Sequence, residues 1–428
     1  MNCGATSLIG RDSRSSKNCL KVNNMGEKTN KPSIRFAGFT DAWERRKARD
    51  LFEATADKNH PELPVLAATQ EFGMVKRKDN GINIYHDKRN EVTYKKVLPG
   101  QFVIHLRSFQ GGFAHSAFEG ITSPAYTVFG LKAPEKHCDY FWKYIFHSEE
   151  FIRRLETVTY GIRDGRSISY EEFLTMNFLV PSYEEQKQIS TGLLELDRLI
   201  ILQQRKYDKL VNIKKSMLEK MFPQHGADVP EIRFAGFTDA WEQRKLKDLS
   251  DKVIEKNTYE VHRETFTNSA EFGIISQRDY FDHDISNVEN LGNYYMVRDD
   301  DFVYNPRIST TAPVGPINRN KLGRIGVMSP LYTVFRTHDI DRTYLEYFFK
   351  SLYWHSYMKL NGDSGARSDR FSIKDSVFIE MPIPYPRIKE QEKIGKYLTH
   401  LDTLIDLHQR KLTKLQNIKK SCLEKMFV

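Results

Sequence analysis

Two arginine-containing loops are the segments of this sequence whose residue types could bind an anionic partner. They read Gly161-Ile-Arg-Asp-Gly-Arg-Ser-Ile-Ser169 and Gly365-Ala-Arg-Ser-Asp-Arg-Phe-Ser372. Guanidinium groups bind phosphates and guanine edges in bidentate geometry, and glycines allow close backbone approach. A single loop of this kind is usually a solvated turn, but here it occurs at the same place in both halves of the chain. The candidate binding residues are Arg163, Arg166, Arg367 and Arg370.

Two more arginines, Arg107 and Arg307, occupy equivalent places because each follows a repeated Phe-Val strand. A basic run at Lys76–Lys78 is matched only by Arg278, and such runs are usually solvated faces. Lys plus Arg outnumber Asp plus Glu by 65 to 56, a net charge of +9. This excess fits a nucleic-acid partner, but an ordinary basic soluble protein has it equally often.

Catalytic and cofactor motifs are missing from the sequence. It contains no phosphate-binding P-loop, no GxGxxG turn, no GxSxG elbow and no HExxH. Asn305-Pro-Arg307 begins like an adenine methyltransferase motif, but it lacks the second proline and the aromatic residue, so we interpret it as a turn after a strand. The histidines are scattered, and Cys3, Cys19, Cys138 and Cys422 have no ligand spacing. We therefore expect no metal, no cofactor and unpaired thiols in a reducing cytoplasm.

The elements that must position the arginines come from an internal repeat. The segment Pro32–Leu51 returns almost unchanged as Pro230–Leu249, and Glu185–Phe222 returns as Glu390–Phe427. The stretches between these repeated segments are much less alike, so one scaffold is used twice to hold two different regions. We expect a disordered leader at 1–30, with Met25 as an alternative start, followed by a first divergent domain at 31–180 and a long helix at 181–224. A linker and a second divergent domain follow at 225–384, and a second long helix at 385–428.

Each divergent region is predicted to be an α+β domain. Helical spacing occurs at 140–155 and 344–360. Strand-like runs are Phe102–Leu106, Tyr126–Phe129 and Phe178–Val180 in the first copy, and Phe302–Tyr304, Tyr332–Phe335 and Phe378–Met381 in the second. No apolar run is long enough to span a bilayer.

The repeated long helices carry a heptad seam that two helices can bury against each other. The seam includes two polar positions in each copy, which can determine register: Gln203, Lys214, His408 and Lys419. The seam could pair parallel or antiparallel, or with another chain, and the matching lengths favour pairing within the chain. An antiparallel coiled coil would place the two domains at opposite ends of a rod, related by a pseudo-twofold axis.

The combination of motifs resembles the specificity subunit of type I restriction–modification enzymes. Those motifs are the repeated Phe-Ala-Gly-Phe-Thr-Asp-Ala-Trp segment, the helix starts at Pro181–Gln186 and Pro384–Gln391, and the helix ends at Lys214–Phe222 and Lys419–Phe427. The resemblance covers both halves after the leader.

The resemblance implies a cytoplasmic, non-catalytic DNA-binding subunit of a bacterial defence system. Each divergent region would be a target recognition domain that reads one half of a bipartite, asymmetric site on double-stranded DNA. The coiled coil would set the gap between half-sites and dock the modification (methyltransferase) subunits. Restriction subunits would add ATP-driven translocation and cleavage. A stand-alone enzyme, a scaffold that never touches DNA and a DNA binder without partners remain alternatives.

Overall fold

The structure, a computed structural model, describes residues 21–22, 31–69, 72–80, 87–105, 112–156, 159–160, 167–224, 227–281, 288–363 and 369–427. The chain divides into two compact units. Unit 1 comprises residues 1–203 and 411–428, and unit 2 comprises residues 204–410. Each unit therefore contains one divergent region and part of both long helices.

Unit 1 is built from short strands, four short helices and segments of two long ones. Its strands are β1 (Lys21–Val22), β2 (Ile34–Arg35), β3 (Glu44–Lys47), β4 (Phe52–Thr55), β5 (Leu66–Thr69), β6 (Gly73–Lys76), β7 (Lys95–Val97), β8 (Phe102–Ile104), β9 (Phe113–His115), β10 (Gly120–Thr122), β11 (Thr127–Leu131), β12 (Thr159–Tyr160), β13 (Ser167–Ile168) and β14 (Asn177–Val180). Its helices are α1 (Ala48–Leu51), α2 (Asp139–Phe146), α3 (Glu149–Glu156), α4 (Tyr170–Thr175) and the first part of α5 (Tyr183–Lys220).

The core of unit 1 is aromatic. A four-stranded antiparallel sheet with the order β4-β11-β8-β9 packs against the short helices. The rings of Phe102 and Phe129, opposite each other on β8 and β11, stack with centroids 5.5 Å apart. Phe173 of α4 packs against Phe129, at 5.4 Å between centroids. Burial of these rings is the main source of stability of the unit.

Unit 2 repeats the same order of elements with different residues. Its strands are β15 (Glu242–Lys245), β16 (Ser250–Lys252), β17 (Phe266–Ser269), β18 (Gly273–Ser276), β19 (Tyr295–Val297), β20 (Phe302–Tyr304), β21 (Ile317–Arg319), β22 (Gly326–Met328), β23 (Thr333–Thr337) and β24 (Pro382–Tyr385). Its helices are α6 (Gln277–Phe281), α7 (Arg342–Lys350), α8 (Tyr353–Asn361), α9 (Asp375–Phe378) and the first part of α10 (Ile388–Lys425).

The sheet order of unit 2, β16-β23-β20-β21, corresponds strand by strand to that of unit 1. Phe302 and Phe335 stack at 5.5 Å between centroids, as Phe102 and Phe129 do in unit 1. The α+β prediction is thus confirmed, as are the helices expected near 140–155 and 344–360, each of which is a pair of short helices.

The repeated motifs meet at a buried ion pair in each unit. Arg35 donates from Nε and Nη2 to Glu185 at 2.6 and 2.7 Å, and Arg233 donates in the same way to Glu390 at 2.7 and 2.8 Å. The neighbouring glutamine, Gln186, accepts a hydrogen bond from the Cys138 amide, which precedes α2. Gln391 accepts the equivalent bond from Asp341, before α7. The Glu-Gln pair therefore joins each long helix to both the repeated motif and the divergent region.

Within each unit the long-helix segments run antiparallel. In unit 1, Lys419 of α10 pairs with Asp197 of α5 at 2.6 Å, whereas Met426, further along α10, packs in the core that holds Ile189, earlier in α5. In unit 2, Lys214 pairs with Asp402 at 2.5 Å. The two seam lysines thus contact carboxylates on the facing helix, which supports the expectation that polar seam positions determine register.

One predicted strand is wrong. Phe378 to Met381 lie in the end of α9 and a turn, and the strand begins only at Pro382. Phe378 and Met381 are both buried, a three-residue spacing that suits a helical turn. The prolines of β24 are tolerated because this strand pairs on one side only, with β15. Phe378 therefore corresponds to Phe173 of unit 1 and not to Phe178.

The half-buried imidazole of His355 is expected to make the stability of unit 2 depend on pH. Burial, together with the nearby charge of Lys359, lowers the pKa of His355 to about 4. Because an unfolded histidine has a pKa of about 6.5, the unfolded chain binds a proton first as the pH falls. The stabilising contribution is complete above about 6.5 and is lost as the pH falls towards 4.

Replacing His355 with phenylalanine should reduce this loss. We expect the melting temperature of wild type to fall more steeply than that of His355→Phe as the pH is lowered from about 7.5 to about 4. A constant difference between the two proteins at all pH values would contradict the assignment.

Candidate nucleic-acid interface

The structure brings together two of the predicted arginines. Arg307 and Arg370 face each other as an antiparallel backbone bridge. Flanking hydrogen bonds hold this bridge: the Ile308 amide donates to the Asp369 carbonyl at 3.0 Å, and the Phe371 amide donates to the Pro306 carbonyl at 2.8 Å. The arginine after the Phe-Val strand and the arginine of the second loop therefore belong to one site in unit 2.

The other four predicted arginines, Arg107, Arg163, Arg166 and Arg367, lie outside the described residues. Their flanking elements are described. Residues 106–111 connect β8 to β9, and the His105 amide donates to the Gly112 carbonyl at 3.1 Å. Residues 161–166 connect the paired strands β12 and β13. These four arginines remain predictions.

The backbone before Arg307 is held by Asn305. Its side-chain oxygen accepts from the Arg307 amide at 3.0 Å, and its side-chain nitrogen donates to the Asn268 carbonyl at 2.8 Å. Gly315 lies against this turn with φ +82°, and a Cβ there would approach the Asn305 carbonyl oxygen to 2.1 Å. The turn interpretation of Asn305-Pro-Arg307 is thus confirmed, and its conformation requires glycine at 315.

A cleft of about 360 Å³ opens beside Arg370. Its polar lining includes Tyr295, Tyr332 and Lys252, the last of which pairs with Asp375. The Tyr332 hydroxyl lies 3.2 Å from the Thr267 hydroxyl. Tyrosines, a guanidinium and hydroxyl groups can donate hydrogen bonds to phosphates or to base edges.

The arginines of this site differ in exposure. Arg307 is exposed, and the side chain of Arg370 retains 34 % of its accessible surface. The carboxylate of Asp369 lies 4.0 Å from Nε of Arg370. Both guanidinium groups are thus accessible to a ligand, with Arg370 the more restricted of the two.

A pair of matching hairpins, one in each unit, was missed by reasoning from the sequence. They are β5–β6 in unit 1 and β17–β18 in unit 2, and they carry Phe72 and Phe272 at their turns. Both rings are exposed, at 64 % and 60 %. The repeated Glu-Phe-Gly tripeptide at 71–73 and 271–273 was the signal that could have revealed them.

In the described part of the chain, no group of His, Cys, Asp and Glu side chains is placed to hold a metal ion. Cys138 and Cys422 are free thiols. Among the described helices, none is long and apolar enough to cross a membrane.

A family model for the type I restriction modification DNA specificity domain matches residues 238–417. That span includes most of unit 2 and its Arg307–Arg370 site, and unit 1 repeats the motifs and strand order of the same region. This part of the chain therefore matches the DNA specificity domain of type I restriction–modification systems.

The chain is also similar to two proteins of Methanocaldococcus jannaschii. The type I restriction enzyme MjaVIII specificity subunit is 24% identical over 296 residues, which cover 65% of this chain and 67% of that protein. The putative type I restriction enzyme MjaX specificity subunit is 22% identical over 415 residues, covering 88% of this chain and 91% of that protein.

A solved structure with a similar fold is the S subunit of a type I restriction–modification system from M. genitalium. It has a TM-score of 0.51 and 13% sequence identity, and the match covers 93% of this chain and 99% of that one. At this identity the likeness concerns the fold.

Proposed function

We propose that this specificity subunit recognises a bipartite, asymmetric site on double-stranded DNA and docks the modification and restriction subunits that act on it. The observation that carries the proposal is the construction of the two units, which share one framework but present different residues beside the predicted arginines. The modification subunits would bind S-adenosylmethionine and methylate adenine, and this chain would have no catalysis of its own. It would act in the cytoplasm, where the DNA is.

The shared framework supports two equivalent docking places for partner subunits. In both units an arginine–glutamate pair holds the tryptophan-containing motif against the start of a long helix. Tyr144 donates to Asp197 in unit 1, and Tyr347 donates to Asp402 in unit 2, both at 2.7 Å. The arginine–glutamate pair is made by the repeated sequences, and each tyrosine of the divergent region bonds to the same position of the repeated helix, so a surface built on these contacts is repeated as well.

The differing faces support unlike half-sites. Ala54 and Lys252 occupy matching positions, opposite Phe129 and Phe335. Lys95 and Tyr295 also match, because each lies two residues before the valine that pairs with Gly120 or Gly326. A surface with Lys95 and Ala54 cannot make the contacts of one with Tyr295 and Lys252. We assign the recognition domains at 31–180 and 225–384 to one half-site each.

Long-read methylation sequencing tests the function directly. Cells carrying this gene with its modification subunit should show adenine methylation in a two-part motif whose halves differ, and deletion of this gene alone should remove it. The proposal would be contradicted if the methylation persisted after deletion, or if the methylated motif were one continuous sequence without a spacer. Co-elution of the chain with the modification subunit on size exclusion separates a docked subunit from a DNA binder that works alone.

Arg307 and Arg370 are proposed to contact the half-site of unit 2. Arg307→Ala and Arg370→Ala should each weaken binding of the assembled complex by about 1–3 kcal/mol at the half-site of unit 2. A phosphate contact would weaken binding to all sequences and reduce the salt slope by about one. A base contact would instead relax specificity at one position.

Arg342→Ala is the matched control for this gel-shift measurement. Arg342 pairs with Asp300 at 2.7 Å, before the start of β20, whereas Arg307 follows the end of that strand. The control should bind DNA like wild type. Equal binding by all three variants and wild type would remove Arg307 and Arg370 from the interface.

A further inference from the structure

We propose that Phe72 and Phe272 are base-contacting residues, one for each half-site, presented by matching hairpins that are bonded to the strand pairs β8–β9 and β20–β21. This inference rests on the proposed function, because it takes double-stranded DNA as the ligand. The ring of each phenylalanine would make apolar contact with the bases of the half-site that its own unit binds.

The first argument is exposure at matched positions. Isolated exposed apolar residues are common on protein surfaces and need no explanation. Phe72 and Phe272, however, occupy the same position of the same hairpin in two regions whose sequences otherwise differ. A large ring that keeps more than half of its surface in water at both places contributes little to either core.

Both hairpin turns are built in the same way. The Phe72 amide donates to the Thr69 hydroxyl at 3.1 Å, and the Phe272 amide donates to the Ser269 hydroxyl at 3.3 Å. The following glycines, Gly73 and Gly273, both have φ +71°. A left-handed glycine closing a three-residue hairpin loop holds the turn in a defined shape. Each ring is therefore presented from a defined backbone position.

Hydrogen bonds connect the β17–β18 hairpin of unit 2 to the turn that carries Arg307. Asn268 of β17 donates from its side chain to the Val303 carbonyl of β20 at 2.7 Å. Its own carbonyl accepts from Asn305, whose side chain also holds the Arg307 amide. Asn318 adds bonds to the Asn268 side chain and to the Ser269 carbonyl, at 2.7 and 3.1 Å. Phe272 and Arg307 thus belong to one hydrogen-bonded assembly.

The hairpin of unit 1 is attached equally closely to the strands around Arg107. Met74 forms a backbone bridge with Ser116, just after β9. A Cβ at Gly73 would lie 2.4 Å from the His115 carbonyl oxygen, so only glycine permits this approach. The connection between β8 and β9 contains Arg107. In both units the phenylalanine therefore lies beside a strand pair that leads to a predicted arginine.

DNA is the occupant that these surroundings favour. Phosphate contacts from arginines determine the position of a protein on the duplex, and apolar side chains contact thymine methyl groups at the base edges. An exposed ring on a hairpin that is bonded to the Arg307 turn has the complementary chemistry. A contact with a partner protein is the alternative that the test must separate.

The test uses the full chain assembled with its modification subunit. It measures binding of this complex to duplex DNA that contains the two-part motif found by methylation sequencing. Phe272→Ala should weaken binding about tenfold, an effect of the size expected for one lost base contact in a duplex site. The loss should disappear on DNA whose unit 2 half-site is already scrambled. Phe72→Ala should likewise weaken binding, and its loss should disappear only on DNA whose unit 1 half-site is scrambled. Leu352→Ala is the control, since Leu352 is 70 % exposed in unit 2 and should leave binding unchanged.

Each result has a defined meaning. Melting temperatures of both phenylalanine variants should equal that of wild type, because the rings are exposed, and Phe272→Trp should retain binding. Unchanged DNA affinity in both alanine variants, or weaker assembly with the modification subunit at unchanged DNA affinity, would overturn the inference. If the wild-type complex itself showed no sequence preference, the proposed function would fail instead.

Discussion

Replacing Glu390 with alanine should lower the free energy of unfolding of unit 2 by about 3–5 kcal/mol, the largest effect that we expect from a single substitution. The Glu390 side chain is fully buried and Arg233 is 15 % exposed. The hydrogen bond with Glu390 raises the pKa of the Arg233 guanidinium. Even without this partner the arginine stays charged, because a guanidinium is not deprotonated in proteins. A charge left unpaired in the interior then destabilises the folded state.

The exposed pair between Glu242 and Arg244 is the matched control. It joins the same residue types in the same unit, but its side chains are 66 % and 38 % exposed. Glu242→Ala should therefore change stability by less than about 1 kcal/mol. Glu185→Ala, which breaks the equivalent buried pair with Arg35, should affect unit 1 as Glu390→Ala affects unit 2.

Urea unfolding followed by tryptophan fluorescence measures these changes. Trp43 and Trp142 report on unit 1, and Trp241 and Trp354 report on unit 2. Single-tryptophan backgrounds assign each transition to its unit. If Glu390→Ala and Glu242→Ala shifted the unit 2 transition equally, the buried pair would not be the contact that holds the motif to the helix.

Replacing Gly315 with alanine should disrupt both the stability of unit 2 and its binding to DNA. The φ of +82° is unfavourable for alanine, and the new methyl group would overlap the Asn305 carbonyl oxygen. We expect a loss of about 3 kcal/mol from backbone strain and overpacking together. Since Asn305 holds the Arg307 amide, its displacement should weaken binding at the unit 2 half-site as Arg307→Ala does.

Gly323→Ala is the control that separates the effect of backbone strain from that of steric overlap with Asn305. Gly323 has φ +67°, but a Cβ there would meet nothing within 4 Å. This variant should lose only the strain of a left-handed alanine, about 1–2 kcal/mol, and should keep wild-type DNA affinity. Thermal melts and gel shifts on the two variants provide the comparison. Equal DNA affinities for both would show that the turn at Asn305 does not position Arg307.

Several features of the fold could be predicted because they are local or periodic. The repeat of Pro32–Leu51 and of Glu185–Phe222 established that one framework is used twice. The heptad seam predicted both long helices, and α5 and α10 each extend over 38 residues. The polar seam residues Lys214 and Lys419 indeed meet carboxylates of the facing helix. Periodicity identifies such elements because each depends on residues close together along the chain.

The predictions failed where a residue's structure depends on contacts with residues far away in the sequence. The strand expected at Phe378–Met381 is a helix end and a turn, because burial of Phe378 beside Phe335 outweighs the local strand-like pattern. The role of Glu390 in holding Arg233 has no local signature at all. Phe272 could have been noticed as part of a repeated tripeptide. The contacts that join its hairpin to Asn305 could not have been predicted from the sequence.

The sequence by itself determined the resemblance to specificity subunits, the duplicated framework, the two long helices with a heptad seam and the list of candidate arginines. Only the tertiary structure decided that Arg307 and Arg370 form one site and that the Phe272 hairpin is bonded to it through Asn268 and Asn305. The physical reason is that these contacts join segments far apart in the chain. Their pairing depends on how the sheet order β16-β23-β20-β21 closes around a shared aromatic core.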